Sequence, residues 1–340
     1  MTAVFAFAPG LALRVGGHAA AVAQLRSEYG PSEIAGDSPA ALEIVFGSRE
    51  AGRAVPQGAV AAKGGHKTVS WRVTLGNPAD APLRAWVSTR GWPPGFARSL
   101  VQGYVVEPLL SIAAARCGHV LLPGAGIVGD DGLLVVIGRS RAGKSTIAAR
   151  ALANGRRILG DDQVLVDGEG RWRPFPRRLR FYPDLAVAAP AAFARLRPGT
   201  RRMLRLRGTV AAATGGFVRP SLAVQAAELG GAWRPGPLPA ARIVLVERRT
   251  DAVALVVEPA TMERAVDWAR RVLVEQRERL AMIGGEAWRP ALEAAARTEL
   301  EILRAALAGT PVQAIAVPAG WSAAEGIART AAALGLEPGP

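Results

Sequence analysis

The sequence predicts an α/β protein with a mixed sheet, a β-rich N-terminal region and helices toward its C-terminal end. The apolar run 133–137, a glycine-rich turn and a helical pattern follow one another, which predicts a central strand–turn–helix unit. Alternation over 68–75 predicts N-terminal strands, and apolar residues at helical spacing over 262–273 predict C-terminal helices. The expected parts are a β-rich region at 1–105, a core at 106–255 and a helical part at 256–340.

Composition narrows the class of protein. Half of the 340 residues are apolar, which is enough for a sizeable core. A single cysteine, Cys117, excludes an internal disulfide framework and is typical of a reducing compartment. We see no targeting segment and no apolar run of about 18 residues. We therefore expect a cytoplasmic protein without a membrane span.

The chain is strongly basic, with a formal net charge of +14. One interpretation is a surface for an acidic partner, and the other is a solvated surface in an arginine-rich sequence. The second is favoured because arginine and alanine dominate while lysine is scarce. No zinc-finger spacing, aromatic RNA-binding box or basic heptad array is visible, so nucleic acid is not an expected partner.

The N-terminal region offers strands but no chemical constellation. Residues 41–46 and 68–75 have strand patterns, and glycine and proline separate them. His18 and His66 are isolated, which favours loop or surface positions over metal ligands. A helix is predicted over 105–116.

Residues 138–145 carry the strongest chemical signal. They read Gly-Arg-Ser-Arg-Ala-Gly-Lys-Ser, the G-x-x-x-x-G-K-[ST] pattern of a phosphate-binding P-loop. In this pattern backbone N–H groups surround phosphate oxygens, Lys144 contacts the outer phosphates and Ser145 offers a hydroxyl to Mg²⁺. The alternative interpretation is a glycine-rich turn without a ligand. The residues predicted to bind the nucleotide are Gly138, Arg139, Ser140, Arg141, Ala142, Gly143, Lys144, Ser145 and Thr146.

Two adjacent acids follow the predicted helix. Asp161 and Asp162 lie between short apolar strands, and Asp161 comes 17 positions after Lys144. A short helix, a turn at Asn154-Gly155 and a returning strand would bring a carboxylate back to the phosphate site. One acid could then act as general base and the other could hold Mg²⁺. The alternative is a Gly-Asp-Asp turn without a chemical role.

The stretch after the acids is rich in arginine and proline. Three prolines in 171–185 exclude a long helix or a central strand there. Its arginines could neutralise a transferring phosphate or hold an acidic peptide, but a solvated basic loop is the interpretation we favour. These arginines are Arg173, Arg177, Arg178 and Arg180.

The last third is predicted to be mostly helical. Strands are expected over 242–247 and 312–317, and Ser322-x-x-Glu325 is a capping box that opens a final helix. The apolar positions at helical spacing are assigned to the core rather than to a cofactor site.

Residues 120–167 resemble a known family. The pattern G-x-S-x-x-G-K-S-T, followed by L-x-D-D, looks like the catalytic core of HPr kinase/phosphorylase and its smaller relatives in peptide-modification gene clusters. These proteins share their nucleotide-site design with phosphoenolpyruvate carboxykinase. The resemblance implies a P-loop core of the HPr-kinase/PEP-carboxykinase type and a serine kinase that uses ATP and Mg²⁺.

Carried over by position, the resemblance gives each acid a role. Lys144 and Asp161 would be catalytic, Asp161 as general base, and Ser145 and Asp162 would bind the metal. Pro123 stands where the family usually has a histidine, which puts a reverse phosphorylase reaction in doubt. Arg205-Leu206-Arg207-Gly208 has arginine where a later family motif has glutamate.

The leading hypothesis is a Mg²⁺- and ATP-dependent kinase that phosphorylates a hydroxyl, that of a serine or threonine in a peptide or protein. The acceptor could be acidic, and a homo-oligomer is possible. Two alternatives stay open: a nucleotide-binding regulatory protein with little phosphotransfer, and a small-molecule kinase. An ABC-type or motor ATPase is disfavoured because no matching signature is visible.

Overall fold

The computed structural model of the protein describes residues 1–36, 38–47, 57–140, 142–215, 217, 220–231, 233–234 and 236–336. The chain forms two compact units, each of which draws on separate stretches of sequence. The predicted boundaries at 105 and 255 remain predictions. The first unit contains Met1–Leu121, Leu165–Gly168 and Leu273–Ala305, and the second contains Leu122–Val164, Glu169–Val272 and the chain from Ala306 onward.

A mixed seven-stranded sheet forms the centre of the first unit in the described part of the chain. Its strands are β1 (Thr2–Ala8), β2 (Leu11–Gly17), β3 (Glu33–Ile34), β4 (Leu42–Phe46), β5 (Val60–His66), β6 (Val69–Leu75) and β7 (Leu83–Gly91). Their spatial order is β3-β1-β2-β4-β7-β6-β5, with β4 parallel to β2 and β7. Three helices accompany it: α1 (Ala19–Tyr29), α2 (Pro94–Val101) and α3 (Glu107–Arg116). The strands predicted over 41–46 and 68–75 correspond to β4 and β6.

After α3, strands and helices alternate along the chain, and most of them belong to the second unit. The exceptions are most of β8, most of β12 and the part of α8 from Leu273 to Ala305, which belong to the first unit. The strands that follow α3 are β8 (His119–Leu122), β9 (Gly124–Gly129), β10 (Gly132–Gly138), β11 (Arg157–Gly160), β12 (Val164–Asp167), β13 (Arg171–Arg173), β14 (Leu179–Phe181), β15 (Leu222–Val224), β16 (Leu238–Arg249), β17 (Val256–Ala260) and β18 (Val312–Pro318). The helices are α4 (Lys144–Ala153), α5 (Leu185–Ala188), α6 (Pro190–Arg195), α7 (Pro198–Ala213), α8 (Met262–Leu307) and α9 (Ala323–Ala333).

The sheet of the second unit mixes parallel and antiparallel pairs. Strand β10 lies parallel to β16, which lies parallel to β18, whereas β9 pairs antiparallel with β10 and β11. The register pairs Gly138, at the end of β10, with Val246 in β16. The mixed α/β class with mixed sheets and C-terminal helices is confirmed, and the P-loop core stays a prediction.

Helix α4 packs on this sheet through the face that its sequence predicts. Ile147, Ala148, Ala151 and Leu152 are buried in one core cluster together with strand residues such as Val136. The helix ends at Ala153 with Asn154 as its C-cap, and Gly155 follows with a φ of 79°, which favours glycine. The helix therefore holds a fixed position behind the end of β10.

The predicted N-terminal cap of the last helix is also confirmed. The capping box forms: Ser322 accepts a hydrogen bond from the Glu325 backbone N–H at 3.1 Å. Helix α8 is broken at Gly285, where φ is 55° and ψ is −148°. Within the described residues no helix is long and apolar enough to cross a bilayer.

Candidate functional site

Loop 138–145 connects the end of β10 to the first turn of α4. Gly143, immediately before the helix, has a φ of +92°, which favours glycine. A Cβ at Gly143 would lie 2.9 Å from Cγ1 of Ile327, so the space is closed as well. The backbone geometry therefore explains the second glycine of the motif without reference to a ligand.

Lys144 lies inside this loop rather than in solvent. Its side chain is 4% exposed, and its Nζ donates hydrogen bonds to the carbonyl oxygens of Gly138 at 2.8 Å and Arg139 at 3.0 Å. The same Nζ is 3.6 Å from Oδ1 of Asp162. A buried ammonium is thus held between the loop and one of the two predicted acids.

The acids reach the loop because β11 ends in a turn that only glycine allows. A Cβ at Gly160 would lie 1.9 Å from the carbonyl oxygen of Gln163, inside van der Waals contact. The carbonyl oxygen of Asp162 accepts a hydrogen bond from the Gly124 backbone N–H at 2.9 Å. These two constraints fix where Asp161 and Asp162 leave the backbone.

Asp161 is the buried acid of the pair. Its side chain is 2% exposed, and it accepts a hydrogen bond from the Ser145 hydroxyl. Its Oδ1 is buried and has no hydrogen-bond partner. Burial, and then the charge of Asp162, raise the pKa of Asp161 from 3.8 to about 6, although Arg177 and Ser145 oppose the rise.

Asp162 differs from Asp161 in its exposure and in the direction of its pKa shift. Its side chain is 47% exposed. Partial burial favours the neutral form, but the charges of Lys144, Arg177 and Arg180 outweigh it and hold the pKa of Asp162 below its usual value. Neighbouring carboxyls with separated pKa values are a common arrangement where one must take up a proton and the other must stay ionised.

Arg177 also lies at the site, whereas the sequence favoured a solvated loop for it. It is 8% exposed, its Nη1 is 3.9 Å from Oδ2 of Asp162, and Nη1 donates to Oε1 of Gln163 at 3.4 Å. The favoured interpretation of a solvated basic loop is therefore wrong for Arg177. Its burial depends on the packing of the proline-rich stretch, for which the sequence carries no periodic signal.

The remaining predicted residues surround this centre. Arg139 and Ser140 are exposed, whereas Ala142 and Thr146 are partly buried. Arg141 lies outside the described residues. The structure thus brings Lys144, Ser145, Asp161 and Asp162 together.

The chemistry of the donor set is compatible with Mg²⁺ only if a ligand adds oxygens. Among the described residues, no group of three or more His, Cys, Asp or Glu side chains could hold a metal alone. Ser145, the unpartnered oxygen of Asp161 and the ionised Asp162 offer hard oxygen donors on one side. Magnesium typically takes one or two such ligands and completes its shell with phosphate and water.

No protein-family model matches this chain. No curated protein sequence matches it either.

The two departures from the family pattern have defined places in the fold. Pro123 is buried and immediately precedes Gly124, whose N–H binds the Asp162 carbonyl. The stretch from Arg205 to Gly208 lies within helix α7. The backbone beside the acid turn is therefore occupied by proline, which has no side-chain donor or acceptor.

Proposed function

We propose that this chain is a Mg²⁺- and ATP-dependent kinase that transfers the γ-phosphoryl group to a hydroxyl, that of a serine or threonine in a peptide or protein. The observation that carries the proposal is the meeting of the P-loop residues Lys144 and Ser145 with Asp161 and Asp162. Any glycine-rich turn can have the motif, but two carboxylates beside its lysine and serine, one of them buried, are the arrangement that phosphoryl transfer needs.

In this proposal the loop and α4 bind the phosphates. Backbone N–H groups and the positive end of α4 face the anion. The Lys144 ammonium, now on the carbonyls of Gly138 and Arg139, can exchange those contacts for phosphate oxygens. Ser145 and Asp162 hold Mg²⁺, which supplies charge neutralisation at the phosphates when bound.

Asp161 acts as the general base. A base with a pKa of about 6 is ionised at neutral pH and still basic enough to take a proton late in the transition state. The acceptor oxygen forms a bond to the γ-phosphorus. The bond between the γ-phosphorus and the β,γ-bridging oxygen breaks, and ADP leaves with that oxygen. The acceptor's proton passes to Asp161, so the charges balance without a further reactant.

The proposal places the reaction in the cytoplasm. The single cysteine of the chain, Cys117, is a free thiol, which is typical of a reducing compartment.

Transfer of labelled γ-phosphate tests the base assignment. Asp161→Asn is expected to keep Mg²⁺-ATP binding and to lower transfer to acceptor peptides by about 10²-fold or more. Asp131→Asn, an exposed acid near the loop in sequence, is the matched control and should transfer at the wild-type rate. Wild-type transfer by Asp161→Asn with intact ATP binding would show that Asp161 is not the base.

A second candidate function, ATP binding with little transfer, is favoured by Pro123 beside the acid turn and by arginine in the acid position of the later motif. It predicts saturable Mg²⁺-ATP binding and no labelled product with any peptide. A small-molecule kinase would instead label low-molecular-weight acceptors in the same assay.

A further inference from the structure

Helix α7 is a long helix with almost no buried face. Of its 16 residues only Leu204 is buried. Met203, Leu206 and Val210 are 43%, 56% and 41% exposed, and their spacing places them on one side of the helix. The three side chains form an apolar stripe that extends along about 10 Å of the helix axis.

Arginines border the stripe, and none of them pairs with a carboxylate of the described residues. Helical spacing puts Arg202 on one flank and Arg207 on the other. Arg201 donates to the Ala194 carbonyl and Arg205 lies over the Phe193 ring at 5.5 Å, so both help to seat the helix. Among the described residues, none of the four arginines of α7 forms an ion pair with a carboxylate.

The helix is anchored close to the candidate site. A Cβ at Gly208 would lie 3.2 Å from Cβ of Pro183, and Pro183 comes three residues after Arg180, whose charge acts on Asp162. Helix α7 therefore contacts the chain three residues after Arg180, the arginine whose charge acts on the candidate site.

We propose that the stripe of Met203, Leu206 and Val210, with its flanking arginines, is the docking surface for the acceptor peptide, and that this peptide carries acidic and apolar residues together. The apolar side chains would bury the stripe, and the carboxylates would pair with the unpaired arginines. The use of the docked hydroxyl rests on the proposed function, but docking itself does not.

The charge of the helix argues against two other occupants. A second copy meeting the same face across a two-fold axis would place arginines against arginines, which is unfavourable. The apolar stripe covers two turns only, which matches the footprint of a peptide better than that of a helix lying in a lipid surface. Both occupants remain outcomes that the test can return.

Peptide binding without nucleotide tests the surface directly. The probe is a short fluorescent peptide of aspartate, leucine and one serine, with an asparagine-for-aspartate peptide as its neutral counterpart. Leu206→Glu and Arg202→Glu should each weaken binding of the acidic peptide by about tenfold, measured by fluorescence anisotropy. Met203→Gln, a milder change, should weaken it in the same direction.

Matched controls carry the same chemical change elsewhere. Val253→Glu introduces a glutamate at a side chain that is 92% exposed, and Arg271→Glu reverses an exposed charge on α8. Both should bind the peptide as the wild type does. Thermal unfolding of every variant shows whether the fold is kept.

Several results would overturn the proposal: no binding of the acidic peptide by the wild type, equal binding by the α7 variants, or equal binding of the neutral peptide. If the protein binds anionic phospholipid vesicles through the stripe and does not bind the peptide, the stripe is a membrane-binding surface. Sedimentation as a dimer that Leu206→Glu dissociates would assign it to a second copy. Loss of ATP binding with peptide binding retained would count against the proposed kinase and not against this surface.

Discussion

Two adjacent aspartates of identical chemistry acquire different properties from their surroundings. Asp161 is buried against Ser145 with one oxygen unpartnered, whereas Asp162 is half-exposed and lies beside Lys144 and Arg177. The motif spacing predicts that both acids reach the loop, because the path from Lys144 to Asp161 is short and local. It does not predict which acid is buried, since that depends on how β9 at Gly124 and the proline-rich stretch with Arg177 pack against the turn.

The raised pKa of Asp161 has a consequence for stability. In the unfolded chain this carboxyl ionises near pH 3.8, and in the folded protein near pH 6. The folded state therefore binds the proton more tightly, and stability falls as pH rises through this window. Asp161→Asn should be more stable than the wild type at neutral pH, by on the order of 2–3 kcal/mol.

Denaturant unfolding of Asp161→Asn against pH checks this prediction. The gain should disappear below about pH 4, where the wild-type carboxyl is neutral in both states. Asp131→Asn should show no such pH-dependent gain. If Asp161→Asn is no more stable than the wild type at neutral pH, ionisation of Asp161 does not destabilise the folded protein.

Arg177 offers a second test at this scale. Its charge lowers the pKa of both acids, so Arg177→Met should raise the pKa of Asp161 and move the acid limb of the pH–rate profile to higher pH. Arg177→Lys, which keeps the charge, should restore the limb in part. An unchanged limb in Arg177→Met would exclude electrostatic control of Asp161 by Arg177.

In the second unit, the sequence predicts those helices and caps that depend on residues close together in the chain. The apolar face of α4, its glycine end and the Ser322 capping box depend on residues within one or two turns of each other. Helix α7 gave no such signal, because its sequence is rich in alanine and arginine and only Leu204 is buried. The parallel pairing of β10 with β16 joins residues about 100 positions apart in sequence, so it is beyond a local pattern.

The tight turn after β11 should not tolerate a side chain at Gly160. Gly160→Ala should be destabilising by about 3 kcal/mol or more, because its Cβ would overlap the Gln163 carbonyl and shift the acid turn. Gly168→Ala, where a Cβ meets open space, should change stability by less than about 1 kcal/mol. Chemical denaturation of both variants measures the difference, and equal stabilities would contradict the tight turn.

The chain has a net charge of +14, and most of its charged side chains in the described residues are not buried. In the first unit Arg277 donates to both oxygens of Glu299, at 3.1 and 2.6 Å, and both side chains are buried. Burial raises the pKa of Glu299, although Arg277 opposes the rise. The pair joins residues of α8 on either side of Gly285.

Arg277→Met should therefore be strongly destabilising, by on the order of 3–5 kcal/mol at neutral pH, because it leaves a buried carboxylate without its partner. The loss should shrink in acid, where Glu299 takes up a proton. Arg297→Met, an exposed arginine on the same helix, is the control. Equal stability of the two variants in urea at neutral pH would show that the pair contributes little.

The central claim is that loop 138–145 binds a nucleoside triphosphate, and titration calorimetry with Mg²⁺-ATP tests it most directly. The wild type should bind at a single site, and Lys144→Met should bind at least about tenfold more weakly, because it removes the buried ammonium. Lys63→Met, one of the other two lysines, should bind as the wild type does. No binding by the wild type, or equal binding by Lys144→Met, would contradict the account.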